Sequence, residues 1–424
     1  MRLYDTFTRE LQELPPPPGP IGMYFCGPTV YRRIHVGNAV PEVLARWLNR
    51  WLEERGYETK LVINVTDIND KIYDAAPGAS AQLANDATRW YLEDVGRLGL
   101  GTPAAQPTAV ETVPDQIRMI EELIAQGLAY EVQGDVYFRV ARFPAYGRLS
   151  GQRPDKVEEQ EPNPLKEDPR DFALWKANKP GEDTWWESPW GRGRPGWHIE
   201  CSVMAEKYLG PAFEIHGGGL DLVFPHHENE IAQSRSLGRP FARIWMHNGM
   251  LQLAGEEMHK SFGNDVSLKD ALDRYGRETL LVFFMTGHWR KPLDFSEETI
   301  TAAAARADRF REVFRNPSEP APDGAWERLA EALEDDFNTP QALAVMHEWR
   351  DHDLLRRALT VFGLASLAEE EQAPPEIHAL AEERRRARAH RDFAAADKLR
   401  GEIEAAGWRV RDVSEPPGFR LVRT

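Results

Sequence analysis

The sequence predicts an α/β fold: a Rossmann-type parallel-sheet domain with a connective insertion, followed by a helical carboxyl-terminal region. Three observations predict it. An apolar run at 21–26, an amphipathic stretch at 40–55 and a second apolar run at 60–65 make a strand, crossover helix and strand, which is a parallel pair. Between 147 and 195 the composition shifts to Pro, Gly, Trp and charge, which suits an insertion lying over a sheet better than another layer of it. Beyond Ser267 nearly every segment carries helical periodicity.

In chain order, the prolines at 15–18 and Gly19 fit neither a helix interior nor a central strand, so they close a short amino-terminal segment. The strand at 21–26 turns at Gly27 and Pro28. The helix at 40–55 presents Trp47, Leu48 and Trp51 on one side and stops at Gly56. Helices follow at 81–98 and 114–126, and 129–140 reads as a hairpin turning at Gln133 and Gly134. Apolar segments at 213–215 and 241–245 resume the sheet. The remaining helices are expected at 268–275, 279–285, 297–314, 326–333, 341–360 and 375–406, with a small terminal unit at 408–422.

At 424 residues and 42% apolar, the chain can bury a core of two or three domains. A formal charge of -16 excludes an indiscriminate polyanion binder, so any nucleic-acid surface must be local. No apolar run approaches the roughly 20 residues of a spanning helix. The strongest run is 280–285, and Met1-Arg2-Leu3-Tyr4-Asp5 lacks the apolar core of a secretory signal. A cytoplasmic protein without a membrane partner is expected. With Cys26 and Cys201 as its only cysteines the chain has no disulfide framework, so each is either an inert buried side chain or part of a site.

Three constellations carry chemistry. His35, Gly37 and Asn38 lie between a strand end and a helix start, where a bare backbone and a helix amino terminus can meet phosphate. The polar segment 255–264 centres on Lys260, followed by Ser261; a Lys there would hold the charge of a departing pyrophosphate. Taken singly, each also fits an ordinary surface loop. The third joins Trp197-His198-Ile199-Glu200-Cys201 with His216-Gly217-Gly218-Gly219-Leu220-Asp221 and Pro225-His226-His227-Glu228-Asn229-Glu230. On a helix starting at Pro225, His226 and Glu230 share one face while His227 falls on another. With Cys26 and Cys201 they form a Cys, Cys, His, Glu set whose softness suits zinc. The triple glycine lets a base or ribose lie against backbone, with Asp221 available to hydroxyls.

The first two segments, in this order on a parallel sheet, resemble the HIGH and KMSKS signatures of class I aminoacyl-tRNA synthetases. The stretches MYFCGPTVY from Met23, NVTDINDK from Asn64, DFALWK from Asp171, RPGWHIECSVM from Arg194, the block 216–234, PLDFS from Pro292 and DFNTP from Asp336 resemble the cysteinyl-tRNA synthetase family, over nearly the whole chain. That resemblance implies a ligase that activates cysteine with ATP and Mg2+ and passes it to cysteine tRNA. It implies one zinc ion on Cys26, Cys201, His226 and Glu230 that takes the substrate thiolate. Thr66, Trp197 and His216 would line the cysteine pocket. His35, Asn38 and Lys260 would be catalytic on the triphosphate, joined in ATP binding by Gly37, Gly218, Gly219, Asp221 and Ser261.

A monomer is expected, with 1–110 and 196–250 as the two halves of the catalytic domain and 111–195 as the insertion. Residues 251–315 would hold the KMSKS-like loop and a stem-contact region, and 316–424 a shortened helical tRNA-binding domain. Three departures stand out: Asn38 occupies a position often held by His, Glu257 and His259 replace the first Lys and first Ser of the second signature, and the stretch between Asp336 and Gly363 is short. The arginines from Arg384 to Arg391 either track phosphates along a helix or pair with interspersed acids. Two other readings stay open: a mycothiol-pathway-like cysteine ligase acting on a small amine, and a non-catalytic zinc-containing paralogue.

Overall fold

In the computed structural model of the chain, the described residues are 1–153, 161–253, 256–257, 266–369, 373–413 and 416–423. They fall into two units, Met1–Ala365 and Ser366–Thr424.

The first unit opens with a hairpin of β1 (Arg2–Asp5) and β2 (Glu10–Glu13) that the sequence reading passed over. Its strands are short and carry little alternation, so the periodic signal is weak. What fixes it is a polar knot: the buried Asp5 carboxylate accepts from the backbone N–H of Phe7, Thr8 and Trp245 at 3.1, 2.9 and 2.8 Å.

Four strands then make a fully parallel sheet. β3 (Pro20–Phe25) leads through α1 (Val36–Glu54) to β4 (Glu58–Ile63), the crossover expected from the sequence. After α2 (Asp70–Ala75), α3 (Ser80–Gly96) and α4 (Val113–Ala125) the chain leaves the sheet. It builds a separate antiparallel sheet from β5 (Ala129–Val132), β6 (Asp135–Phe138), β7 (Phe172–Ala177) and β8 (Gly193–Pro195), in that order. Buried Arg194 pins this sheet to α2, pairing with Asp70 and, at 3.1 Å, with Glu182. The chain returns by α5 (Trp197–Leu209), β9 (Ala212–Gly219), α6 (Glu228–Ser236) and β10 (Phe241–Asn248), giving the order β10-β9-β3-β4. Met23, Tyr24, Phe25, Leu61, Val62 and Ile63 are all buried, as a parallel strand covered on both faces requires. The carboxyl ends of β3, β9 and β10 lie side by side, which is where such sheets place ligands.

Past two short strands, β11 (Leu251–Leu253) and β12 (Glu256–Glu257), come the helices α7 (Leu268–Tyr275) and α8 (Arg277–Met285). β13 (Leu293–Asp294) pairs with β11 and precedes α9 (Glu297–Arg315) and α10 (Ala325–Glu334). The apolar run 280–285 lies wholly in the core, and no helix among the described residues is long and apolar enough to cross a membrane. The long helix expected over 341–360 is in fact α11 (Thr339–His347) and α12 (His352–Val361). Asp351 caps the second, its Oδ1 accepting from the Leu354 N–H at 2.9 Å. Trp47 of α1 donates from Nε1 to the Phe362 carbonyl at 2.9 Å and meets its ring edge-on, which seats the helical region against the crossover helix.

The second unit contains α13 (Pro375–Ala389), α14 (Phe393–Ala405) and a hairpin of β14 (Trp408–Asp412) and β15 (Phe419–Arg423) around Ile377, Ala381, Ile403, Trp408 and Phe419. Here too one expected helix, 375–406, is two. Arg391 takes φ 59° and Asp392 caps the restart by accepting from the Ala395 N–H at 3.1 Å. Periodicity alone runs through both breaks because each interrupts the apolar pattern for only a few residues.

Candidate functional site

Cys26 follows β3, Cys201 sits one turn into α5, His226 lies in the turn Val223–His227, and Glu230 is in the first turn of α6. Phe224 is extended (φ -139°, ψ 133°) and breaks the turn, after which the chain winds helically through His227 into α6, with the Glu228 N–H donating to the Pro225 carbonyl. His226 and Glu230 still meet, Nε2 to Oε1 at 3.2 Å. The Cys26 and Cys201 sulfurs are 3.7 Å apart, Cys201 Sγ is 3.4 Å from His226 Nε2, and Cys26 Sγ is 3.8 Å from Glu230 Oε1. A zinc-sized ion with sulfur at about 2.3 Å and nitrogen or oxygen at about 2.0–2.1 Å has tetrahedral edges of about 3.3–3.8 Å. The four donors therefore have the spacing of a metal's coordination shell, although they come from four separate elements.

The same carboxylate and thiol have further partners. Cys26, His216, His227 and Glu230 form an overlapping group, with His227 Nε2 3.3 Å from Cys26 Sγ and His216 Nε2 2.9 Å from Glu230 Oε2. The separate helix face expected for His227 does not remove it, because its ring still reaches Cys26. His227 Nδ1 is 2.7 Å from His247 Nε2, and His247 Nδ1 is 2.8 Å from Thr6 Oγ1. The set with both sulfurs offers the softer donors, and it leaves His216 and His227 gripping a ligand each from outside, as second partners of metal ligands do. Burial pushes the Cys26 thiol and the Glu230 carboxyl well up and holds the His226 and His227 imidazoles well down; all four are fully enclosed. A divalent cation reverses that balance, since it pairs with thiolate and carboxylate and takes neutral imidazole.

Beside this cluster is a cavity of about 340 Å³. Its wall contains Cys26 and Trp197 at one end, His35, Gly37 and Asn38 at the α1 amino terminus, and Gly219 and Asp221 beyond β9. His35 caps α1, its N–H donating to Asn38 Oδ1 at 3.3 Å. A side chain at position 37 would stand 2.9 Å from the His35 ring, so glycine is what lets that ring fold over the helix start. A Cβ at 219 would run into the Asp221 carboxylate, which folds across the bare backbone. Gly218 faces the other way, against Leu222 and His227, and is not on the cavity wall.

Thr66 and His216 are likewise buried behind the wall. Thr66 Oγ1 accepts from Asn64 Nδ2 at 3.2 Å, and Asn64 Oδ1 accepts from the Gly27 N–H at 2.9 Å, so this chain of contacts ends beside Cys26. Trp197 stacks on His226 at 4.2 Å. Lys260 and Ser261 lie outside the described residues. The segments flanking theirs do reach the site: Leu251 lines the cavity, and Val266 accepts from the Val36 N–H at 2.9 Å. Sequence reasoning missed Asn248, at the carboxyl end of β10 and in register with Gly219, and His247 beside it. The rule that strand carboxyl ends carry ligands pointed to both.

Comparison with known proteins agrees with this arrangement. The family profile described as tRNA synthetases class I (C) catalytic domain matches residues 14–305, the DALR domain 328–352, and the cysteinyl-tRNA ligase anticodon binding domain 370–416. The cysteine-tRNA ligase of Brevibacillus brevis is 42% identical over 96% of each chain, and that of Pseudothermotoga lettingae 40% over the full length of both. The Geobacillus thermodenitrificans cysteine-tRNA ligase is 41% identical over 466 aligned positions, covering 100% of this chain and 99% of that one. Among solved structures, Mycobacterium tuberculosis methionyl-tRNA synthetase with methionyl-adenylate superposes with a TM-score of 0.58 at 14% identity, covering 83% of this chain and 86% of that one. The Agrobacterium radiobacter leucyl-tRNA synthetase ternary complex gives 0.57 at 10% identity, covering 84% and 83%. These two bear on the fold alone. With the profile spanning most of the chain and relatives at about 40% identity throughout, the chain belongs to the cysteine-tRNA ligase family of class I aminoacyl-tRNA synthetases.

Proposed function

We propose that this protein is a cysteine-tRNA ligase that binds one zinc ion through Cys26, Cys201, His226 and Glu230 and uses ATP with Mg2+ as co-substrate. The observation that carries the reading is the tetrahedral spacing of those four donors directly beside the cavity that holds His35, Asn38, Gly219 and Asp221. Zinc held there would supply a soft Lewis-acid site for the substrate thiolate, the group that separates cysteine from serine where size does little.

The chain's own residues divide the rest of the work. The α1 amino terminus, with Gly37 and the side chains of His35 and Asn38, binds the triphosphate. Gly218, Gly219 and Asp221 hold the nucleoside, Gly219 by presenting bare backbone and Gly218 by packing on Leu222 behind it. Trp197, Thr66 and His216 shape the amino-acid end, with Trp197 on the cavity wall and the other two supporting from behind. The cysteine carboxylate, aligned here, attacks the α-phosphorus; the bond to the β-phosphate oxygen breaks and pyrophosphate leaves with the electron pair. Lys260 and Ser261 are assigned to the charge that develops on it, on the strength of the flanking contacts at Leu251 and Val266. The terminal hydroxyl of cysteine tRNA then attacks the cysteinyl carbonyl carbon and AMP departs. Residues 111–195 act as the insertion over the site and 316–424 as the tRNA-binding region of a monomer.

Purified protein supplied with ATP, Mg2+ and cysteine should exchange labelled pyrophosphate into ATP, and with bulk tRNA should form cysteinyl-tRNA, while serine supports neither. Lys260→Ala should slow the exchange by roughly 10²- to 10³-fold. Acylation of an amino sugar in place of tRNA would instead favour the small-amine ligase, and absence of exchange the non-catalytic paralogue.

A further inference from the structure

Asn248 has no role in the scheme above, yet it occupies a telling place. It is the last residue of β10, directly opposite Gly219, and it forms part of the cavity wall. The side chain is 3% exposed. Its Nδ2 donates to the neighbouring Gly249 carbonyl at 3.0 Å, which fixes the amide, while its Oδ1 is enclosed with no hydrogen-bond partner. Leaving a buried acceptor unmade is costly, and on a cavity wall a ligand donor can complete it. The floor beside it is bare backbone at Gly219, with Met250 Sδ in van der Waals range of where a Cβ would stand. A bare-backbone floor with the Asp221 carboxylate and the unpartnered Asn248 Oδ1 beside it is suited to a nucleoside.

We infer that Asn248 is a specificity-determining residue for the nucleotide, its Oδ1 accepting a hydrogen bond from a donor of the bound nucleoside, either the adenine amino group or the ribose 2′-hydroxyl. The inference rests on the ATP-dependent reading of this cavity and adds to it a discriminating contact. Where the donor is the adenine amino group, a guanine carbonyl in its place would set two acceptors against each other, and GTP is disfavoured on that ground.

The test is a cycle of substrate and protein changes in cysteine-dependent pyrophosphate exchange. ATP is compared with purine riboside triphosphate, which lacks the amino group, and with 2′-deoxy-ATP, each on wild type and on Asn248→Ala. Wild type should lose about tenfold in kcat/KM with one analogue, the worth of one neutral hydrogen bond, and Asn248→Ala should lose a similar factor with ATP. In the variant that analogue's penalty should vanish, and the arm in which it vanishes names the donor. Penalties that persist undiminished in Asn248→Ala would overturn the inference, because a merely structural asparagine lowers activity with every nucleotide alike. Should Asn248→Ala fail to fold, wild type still decides: equal kcat/KM for ATP and both analogues overturns it. Absence of exchange with ATP in wild type would instead sink the underlying functional reading.

Discussion

Two regions of this chain concentrate polar side chains, and they are stabilised by opposite means. Around Cys26 two thiols, the imidazoles and a carboxyl are buried, and burial drives the Cys26 thiol, the His226 and His227 imidazoles and the Glu230 carboxyl toward their neutral forms. Along α13 Arg385, Arg386 and Arg388 stand partly in water while Arg384 is buried, and all four are answered by acids of the same unit: Arg385 and Arg386 by Glu382, Arg384 and Arg388 by Asp412. The Glu382 carboxyl is pulled down to about 2, first by its hydrogen bond from Arg385. Enclosed donors without a cation are costly, and that cost is the physical case for a metal; solvated ion pairs cost little and contribute little. Dense charge therefore predicts a bound partner where water is excluded far better than where it is not.

Three changes test that contrast, in decreasing order of effect. Cys201→Ala removes a donor from the enclosed set, so bound metal should fall from about one per chain to near zero and cysteine-dependent exchange should be lost with it. Elemental analysis alongside the exchange assay checks this, and retained metal would put the site elsewhere. His227→Ala leaves the four donors but removes the ring beside Cys26 and unlinks His247, so chelator competition should show metal affinity weakened about 10- to 100-fold. Complete loss would instead make His227 a ligand, as the overlapping group with His216 allows. Asp412→Asn weakens the pairing of the buried Arg384, so it should destabilise the protein by about 1–3 kcal/mol in thermal unfolding. It frees the exposed Arg388, so the log-log salt dependence of tRNA binding should steepen by about one phosphate. An unchanged slope would show that Arg388 faces away from the nucleic acid.

The same contrast explains what was legible in the sequence. The parallel sheet could be read because Met23–Phe25 and Leu61–Ile63 are continuous apolar runs joined by one amphipathic helix, a pattern few other folds share. The donor set could be read because cysteine is scarce here and the spacing of four between His226 and Glu230 brings both to one point. Side-chain partnerships across distant elements could not be read: Thr6 reaching His247, Asn64 linking Gly27 to Thr66, and Asn248 coming level with Gly219 all depend on strand register. The helix breaks at Asp351 and Arg391 were hidden for a local reason, since a cap residue looks like any other polar residue until the backbone turns. On α13, ion pairing and phosphate tracking use the same residues, and the structure supplies the pairing without ruling on the tracking.

Zinc K-edge absorption of freshly purified wild-type protein, with metal quantified on the same sample, bears most directly on this account. It predicts one zinc per chain, with two sulfurs at about 2.3 Å and two nitrogen or oxygen donors at about 2.0–2.1 Å. Protein that carries no metal, or a first shell without sulfur, would contradict it.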